Sequence, residues 1–108
     1  MPIMEISIVP VGTKTASLSS FVARAVKILK QERGIKYTLT SMGTIVEADN
    51  IERLFRVARK MHQSVFRDEV KRVVTTIKID DRKDKELTIE GKIKSVKGKL
   101  NEEEKNRF

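Results

Sequence analysis

Three short segments hold the residues whose types and spacing could do chemistry: Val9–Thr13, Met42–Glu47 and Lys78–Arg82. Glycine, hydroxyl-bearing and charged side chains concentrate in them, whereas the segments between them are explained by apolar periodicity. Such residues can hold an anion, accept hydrogen bonds from a ligand or neutralise a cation. Function has to be inferred from these three segments.

Glu47 is the strongest candidate for contacting a ligand. It lies in an alternating segment, Thr44–Ala48, that is typical of a strand. If Val46 faces the helices that cover one side of the sheet, Glu47 lies on the open face, which carries no helix. If the strand is turned the other way, Glu47 lies beneath the helices. A buried carboxylate needs a cation or a hydrogen-bond donor. An exposed carboxylate paired with Lys78 or Arg72 is the alternative.

Catalytic and metal-binding residues are poorly represented. The chain has one histidine, His62, and no cysteine. His62 is expected to be a boundary residue of a helix rather than a catalytic base, so a serine or threonine nucleophile lacks its usual partner. Asp80, Asp81 and Asp84 do not have the spacing of a calcium loop. We therefore expect no enzyme activity, no metal and no cofactor.

The segment Gly12–Thr15 partly matches a phosphate-binding loop but lacks the first glycine of that motif. We interpret it as an ordinary loop between a strand and a helix, whose amides could hold an anion or a polar ligand group. A phosphate-handling enzyme that depends on Lys14 or Asp80 is a further alternative, and the missing base argues against it.

The elements that position these segments follow the order strand, helix, strand, strand, helix, strand between Met4 and Lys78. This order predicts an α+β, ferredoxin-like βαββαβ domain, an antiparallel sheet with both helices on one face. The first strand should end at Pro10, and Thr15 or Ser17 should cap the first helix. Gly34 is expected to adopt a left-handed conformation after that helix.

After the first helix, the sequence predicts a hairpin and two further helices. Residues 35–40 and 44–48 should pair through a turn at residues 41–43, and Asp49 with Glu52 forms a candidate capping box. The second helix should bury Ile51, Leu54, Phe55, Ala58, Met61 and Val65. Ile89, Ile93, Val96 and Leu100 predict a third helix, capped by Asp81 or Asp84 and leaning on the domain or on a neighbouring subunit. We expect one domain over residues 1–100 and a frayed charged tail over residues 101–108.

Composition limits the classes of protein. The apolar share of 39% is ordinary, no apolar run is long enough for a membrane span, and no signal peptide is visible. Without cysteine, a cytoplasmic location is expected. Abundant Lys, Arg and Glu are compatible with a thermophilic source. The net charge of +8 raises a basic nucleic-acid-binding module as the alternative function. The absence of interleaved aromatic and basic residues argues against it.

Together, the motifs resemble the small thiamine-binding, YkoF-like family, long described as uncharacterised proteins of archaea, bacteria and yeast. The matching segments are Ser7–Thr13, Ser17–Val22, Met42–Glu47 and Arg72–Arg82, within a similarity from about Met4 to Val96. The resemblance implies ferredoxin-like subunits that assemble as dimers or tetramers. It also implies non-catalytic binding of thiamine or a related pyrimidine or heteroaromatic.

On this resemblance, Glu47 would neutralise the thiazolium ring or accept a hydrogen bond from the aminopyrimidine. The other expected ligand-binding residues supply hydroxyl groups or a ring surface: Thr13, Ser17, Thr38 and Thr44, with Tyr37 or Phe21. Arg72 and Asp80 could instead pair and fix the end of the sheet, with Arg82 beside them as a structural or anion-binding group.

Overall fold

The structure, a computed structural model, describes residues 1–67 and 70–106. Its elements are β1 (Ile3–Val11), α1 (Ser19–Lys30), β2 (Lys36–Leu39), β3 (Thr44–Glu47), α2 (Ile51–Val65), β4 (Arg72–Asp80) and α3 (Ile89–Asn106). The four strands form one sheet in the order β2-β3-β1-β4, and all neighbouring strands are antiparallel. The predicted ferredoxin-like α+β fold with an added C-terminal helix is confirmed.

The strand β1 lies inside the sheet. It pairs with β4 over Ile3–Val11 but with β3 only over Ile3–Ile6. Pro10 lies beyond the residues of β1 that pair with β3, so its missing N–H removes no hydrogen bond between these two strands. The strand therefore continues to Val11, one residue past the end expected from the sequence.

The hydrophobic core lies between the sheet and the helices α1 and α2. Alternation along β1 places Met4, Ile6 and Ile8 in this core, and β3 contributes Val46. Four residues of the predicted apolar stripe of α2 are buried, Leu54, Ala58, Met61 and Val65. Ile51 is only half-buried, and Phe55 is 53% exposed. Val57, which the predicted stripe did not include, is buried as well.

Two predicted helix caps are wrong. The N-cap of α1 is Leu18, which makes no side-chain cap hydrogen bond. Thr15, one of the expected caps, instead accepts a hydrogen bond from the Ser17 backbone N–H at 3.1 Å, within the preceding loop. In α2 the cap is Asn50 rather than Asp49, because the Asn50 Oδ1 accepts from the Arg53 backbone N–H at 2.9 Å.

Gly34 has the predicted left-handed conformation, with φ of 72°. It is not the cap of α1, however, because that helix ends at Lys30 with Gln31 as its C-cap. Gly34 instead turns the chain into β2. An added Cβ there would lie 3.0 Å from an Arg53 guanidinium nitrogen, so both space and backbone conformation favour glycine.

The helix α3 differs most from expectation. Its first turn is capped by Thr88, whose Oγ1 accepts from the Gly91 backbone N–H at 2.9 Å, and not by Asp81 or Asp84. The helix continues to Asn106, so residues 101–106 are helical where a frayed tail was expected. Residues 107 and 108 of that expected tail lie outside the described residues.

Candidate functional site

Glu47 lies at the end of β3, on the face of the sheet opposite α1 and α2. Its neighbours Val46 and Ala48 are completely buried in the core, so alternation turns Glu47 to the other face. This is the first of the two orientations considered from the sequence. Glu47 is nevertheless only 1% exposed, because α3 begins on this face and covers it. The alternative of an exposed carboxylate paired with Lys78 or Arg72 is wrong.

The two carboxylate oxygens of Glu47 have different surroundings. Oε1 accepts a hydrogen bond of 2.8 Å from the Ile89 backbone N–H, the first amide of α3. Helix N-termini carry a partial positive charge, so this contact is favourable for an anionic side chain. Oε2 is buried and accepts no hydrogen bond within the part of the chain that the structure describes. A buried carboxylate oxygen without a donor is unfavourable by about 1–3 kcal/mol.

A cavity of about 320 Å³ lies beside Glu47. We call it the Glu47 cavity, and it is lined by residues 35–38 of β2 and the turn before it, Glu47, and residues 88–90 at the start of α3. It includes two other predicted ligand residues. Thr38 pairs with Ile45, on the same face as Glu47, whereas Tyr37 pairs with Val46 and packs against the core. The structure thus brings Glu47 and Thr38 to one face of the sheet, whereas the Tyr37 side chain lies on the opposite face.

Thr44 lies at a different cavity. It is buried and lines a mostly apolar space of about 310 Å³ between β1, α1 and the hairpin that joins β2 to β3. We call this the hairpin cavity. In the hairpin, Thr40 Oγ1 accepts from the Gly43 backbone N–H at 3.1 Å, which fixes the turn. Thr44 therefore belongs to the helix side of the sheet, away from Glu47.

Thr13 and Phe21 line a third cavity, of about 270 Å³, with Arg24 and Arg67. The Arg24 guanidinium lies 5.6 Å from the centre of the Phe21 ring. Thr13 Oγ1 donates to the Thr15 carbonyl at 2.8 Å, so its proton is already used within the loop. The predicted hydroxyl and ring groups are therefore divided among three cavities. The exposed Ser17 does not line any of the three.

The expected pairing of Arg72 with Asp80 is wrong, because these residues lie at opposite ends of β4. Asp80 forms an ion pair with Lys92 of α3. Arg82 donates from Nε to Asp84 Oδ1 at 2.8 Å, and this contact lowers the pKa of the Asp84 carboxyl to about 2. The Asp80–Lys92 pair thus joins the end of β4 to α3, whereas the Arg82–Asp84 pair lies within the connection between them.

The sequence reasoning missed the backbone of α3 as part of the Glu47 site. The Ile89 N–H and the Thr88 cap come from a segment that was expected only to lean on the domain or on a neighbouring subunit. The available signal was Thr88 with Glu90 at the start of an apolar repeat, a pattern typical of a helix N-terminus.

His62 has the boundary role expected of it. Its Nδ1 lies 2.6 Å from Thr75 Oγ1, and its ring contacts Phe66 edge to face at 5.3 Å. Within residues 1–67 and 70–106, no group of His, Asp and Glu side chains could hold a metal ion. No helix in those same ranges is long and apolar enough to cross a membrane.

Comparison with known proteins gives a consistent result. Residues 4–97 match the family described as thiamine-binding protein. The UPF0045 protein YqgV of Bacillus subtilis is 44% identical over 99 residues, covering 89% of this chain and 94% of that one. The crystal structure of protein MJ1052 from Methanocaldococcus jannaschii superposes with a TM-score of 0.79 at 38% identity, over 88% of this chain and 94% of that one.

A Thermotoga maritima crystal structure is also similar, with a TM-score of 0.62 and 26% identity, over 88% of this chain and 97% of that one. That protein is named as a candidate for thiamine biosynthesis or salvage. The similarities cover β1 to the first half of α3 and therefore include the Glu47 cavity.

Proposed function

Because the chain belongs to the thiamine-binding protein family, we propose that it is a non-catalytic binding protein for thiamine or a related aminopyrimidine. We further propose that Glu47 is the principal ligand-binding residue and that the protein acts in the cytoplasm. Membership of the family supports a small-molecule binding role. The identity of the ligand and the residues that bind it are what we propose.

The observation that carries this proposal is the buried Glu47 Oε2, for which the described residues supply no donor. A ligand that donates a hydrogen bond there would complete the carboxylate. The amino group of an aminopyrimidine is such a donor, and a cationic ring attached to it adds a charge-assisted component. A carbonyl or phosphate group would meet the carboxylate with an acceptor and would be rejected.

The dimensions and lining of the Glu47 cavity support a small, flat ligand. Its volume of about 320 Å³ lies near the lower end of the range of small-molecule pockets, about 300–1,000 Å³. Thr38 and Ile35 also line this cavity, the first with a hydroxyl group and the second with apolar surface. A polar carboxylate in a partly apolar cavity is the arrangement that orients a heteroaromatic ring.

Calorimetric titration of the purified, ligand-free chain tests this proposal. Thiamine and its hydroxymethylpyrimidine fragment should both bind saturably, and moderate salt should change the affinity little. A single-stranded oligonucleotide serves as the control, because phosphate contacts would make its binding fall steeply with salt. Salt-sensitive oligonucleotide binding without thiamine binding would contradict the proposal and favour the nucleic-acid alternative. Chromatography of the recovered thiamine should show it unchanged.

A further inference from the structure

The cavity that contains Thr13 and Phe21 is lined by three positively charged residues. It has a volume of about 270 Å³ and lies between the loop after β1, the start of α1 and the segment after α2. Lys14, Arg24 and Arg67 all line it, and no acidic residue of the described part of the chain does. We call it the Arg24 cavity. Three like charges around so small a space repel one another, and an anion between them would remove this repulsion.

Arg24 has an incomplete set of hydrogen-bond partners. Its Nη1 is buried and has no acceptor within residues 1–67 and 70–106. The Phe21 ring, whose centre lies 5.6 Å from the guanidinium carbon, attracts the positive charge but offers no oxygen or nitrogen acceptor. Buried polar groups in proteins normally have a hydrogen-bond partner, and those that lack one call for an explanation. An anion in the cavity would supply the missing acceptor.

The Arg24 side chain can turn toward a ligand at little cost. Because Nη1 gives up no hydrogen bond to any described residue, rotation about the last bonds of the side chain is enough to bring it to an anion. Changes of side-chain rotamer are common on binding. Ser20 lies one turn before Arg24 on the same face of α1 and adds a hydroxyl group to the cavity. The first turn of α1 contains no acidic residue, so the partial positive charge of the helix N-terminus also favours an anion here.

The chemistry and the size of the cavity favour a phosphate group. A guanidinium group donates two parallel hydrogen bonds to the oxygens of a phosphate or a carboxylate. A phosphate monoester carries nearly two negative charges near neutral pH and three acceptor oxygens, so it matches several cations better than a carboxylate does. The volume of about 270 Å³ lies below the usual range of small-molecule pockets, about 300–1,000 Å³, and admits only a small ligand. Phe21 and Val70 supply apolar surface for a small organic group.

We propose that the Arg24 cavity binds a phosphate group, either as inorganic phosphate or as the monoester of a small molecule, with Arg24 and Arg67 as the donors. This site is separate from the Glu47 cavity. Glu47 pairs with Ile3 at one end of β1, whereas Gly12 follows the other end, about 30 Å away at the usual rise of a strand. One small ligand cannot span this distance, so the inference does not depend on the binding of thiamine.

Calorimetric titration of the full chain with inorganic phosphate, in a buffer free of phosphate and sulfate, tests the proposal. The chain should bind phosphate saturably, and Arg24→Gln should raise the dissociation constant roughly tenfold or more, because it removes a charged donor. Arg59→Gln is the matched control, because Arg59 is exposed on α2, does not line the cavity and loses the same charge. No saturable binding to the wild-type chain, or equal affinity in Arg24→Gln and Arg59→Gln, would overturn the proposal.

Thermal unfolding separates a loss of binding from a loss of folding. A ligand that binds only the folded state raises the unfolding temperature, so phosphate should raise it for the wild-type chain and for Arg59→Gln. The rise should be absent in Arg24→Gln, although that variant still unfolds cooperatively. Arg24→Lys keeps the charge but lacks the planar fork of donors, so it should show a smaller rise than the wild-type chain. An equal rise in all four proteins would contradict the assigned site.

Three probes identify the source of the phosphate group. Tighter binding of phenyl phosphate than of inorganic phosphate would assign the cavity to a monoester, and the reverse order would assign it to free phosphate. A single-stranded oligonucleotide should compete poorly, because each of its internal phosphates is flanked on both sides. Competition as strong as that of inorganic phosphate, at equal phosphate concentration, would overturn the assignment to a small ligand.

The Glu47→Gln variant shows whether the two sites are independent. It should bind phosphate as tightly as the wild-type chain does, and Arg24→Gln should keep the wild-type affinity for thiamine. Failure of the thiamine titration would therefore leave the phosphate site standing, and failure of the phosphate titration would leave the Glu47 site standing. Loss of phosphate binding in Glu47→Gln would contradict the separation of the two cavities.

Discussion

The replacement of Glu47 by glutamine separates the two roles that the structure gives to this side chain. Oε1 holds the first amide of α3, and Oε2 is buried without a donor among the described residues. Glutamine keeps a carbonyl oxygen that can accept from Ile89 N–H. Its NH₂ group, however, would replace the acceptor at Oε2 with a donor. The variant should therefore keep α3 in place but lose the aminopyrimidine.

The expected magnitudes differ for stability and for binding. For Glu47→Gln we expect the free energy of unfolding to change by less than about 1 kcal/mol, because the hydrogen bond to Ile89 is retained and one buried charge is removed. The affinity for thiamine should fall by about 2 kcal/mol, or about 30-fold, because a charge-assisted bond becomes a clash of two donors. Glu47→Ala should lose about 1.5–3 kcal/mol of stability as well, since the Ile89 N–H is left without its acceptor.

Urea denaturation and calorimetric titration of the same preparations measure both quantities. Glu52→Gln is the matched control, because Glu52 is exposed on α2 and the change in charge is the same. Unchanged thiamine affinity in Glu47→Gln would refute the carboxylate role. A loss of stability as large as that of Glu47→Ala would show that glutamine does not hold α3.

Three further predictions concern individual residues. Asn50→Ala should lower the free energy of unfolding by about 1 kcal/mol in urea denaturation, because it removes the cap of α2, whereas Asp49→Ala should have little effect. The pKa of Asp84, lowered to about 2 by Arg82, should return toward its ordinary value of 3.8 in Arg82→Gln, as measured by NMR titration of the carboxyl carbon. The Arg82 contact should favour the folded state above about pH 4 and lose this effect as the pH falls toward 2, so a pH-independent difference between variant and wild type would contradict it. Gly34→Ala should destabilise the chain by about 1 kcal/mol or more in urea, because alanine disfavours positive φ; unchanged stability would argue against the left-handed turn.

The fold could be predicted from the sequence because its elements depend on local periodicity. Alternation in β1 and the helical spacing of α2 each place apolar residues on one side, so the helix is expected to pack against one face of the sheet. Helix caps were less predictable, since neighbouring polar residues compete for the same role. Asn50 and Asp49 are chemically equivalent as caps, and the end of β3 decides which of them adopts the required conformation.

The candidate site was only partly predictable. The sequence identified Glu47 as a candidate but left open which face of the sheet it occupies. Its burial depends on α3, because the Ile89 backbone amide, 42 residues away in sequence, donates to the Glu47 carboxylate. Side-chain patterns do not encode such a contact. The division of Thr13, Thr44 and Thr38 among three cavities has the same origin. Short motifs show which residues are polar, but the sheet register decides which face each one shares.

A crystal structure of the chain with thiamine tests the central claim most directly. We expect the aminopyrimidine in the Glu47 cavity, with its amino nitrogen about 3 Å from Glu47 Oε2 and the hydrogen bond from Ile89 N–H to Oε1 retained. Thiamine bound in the hairpin cavity, with Glu47 Oε2 still without a donor, would contradict the role assigned to Glu47. That result would make Glu47 a residue that only anchors α3.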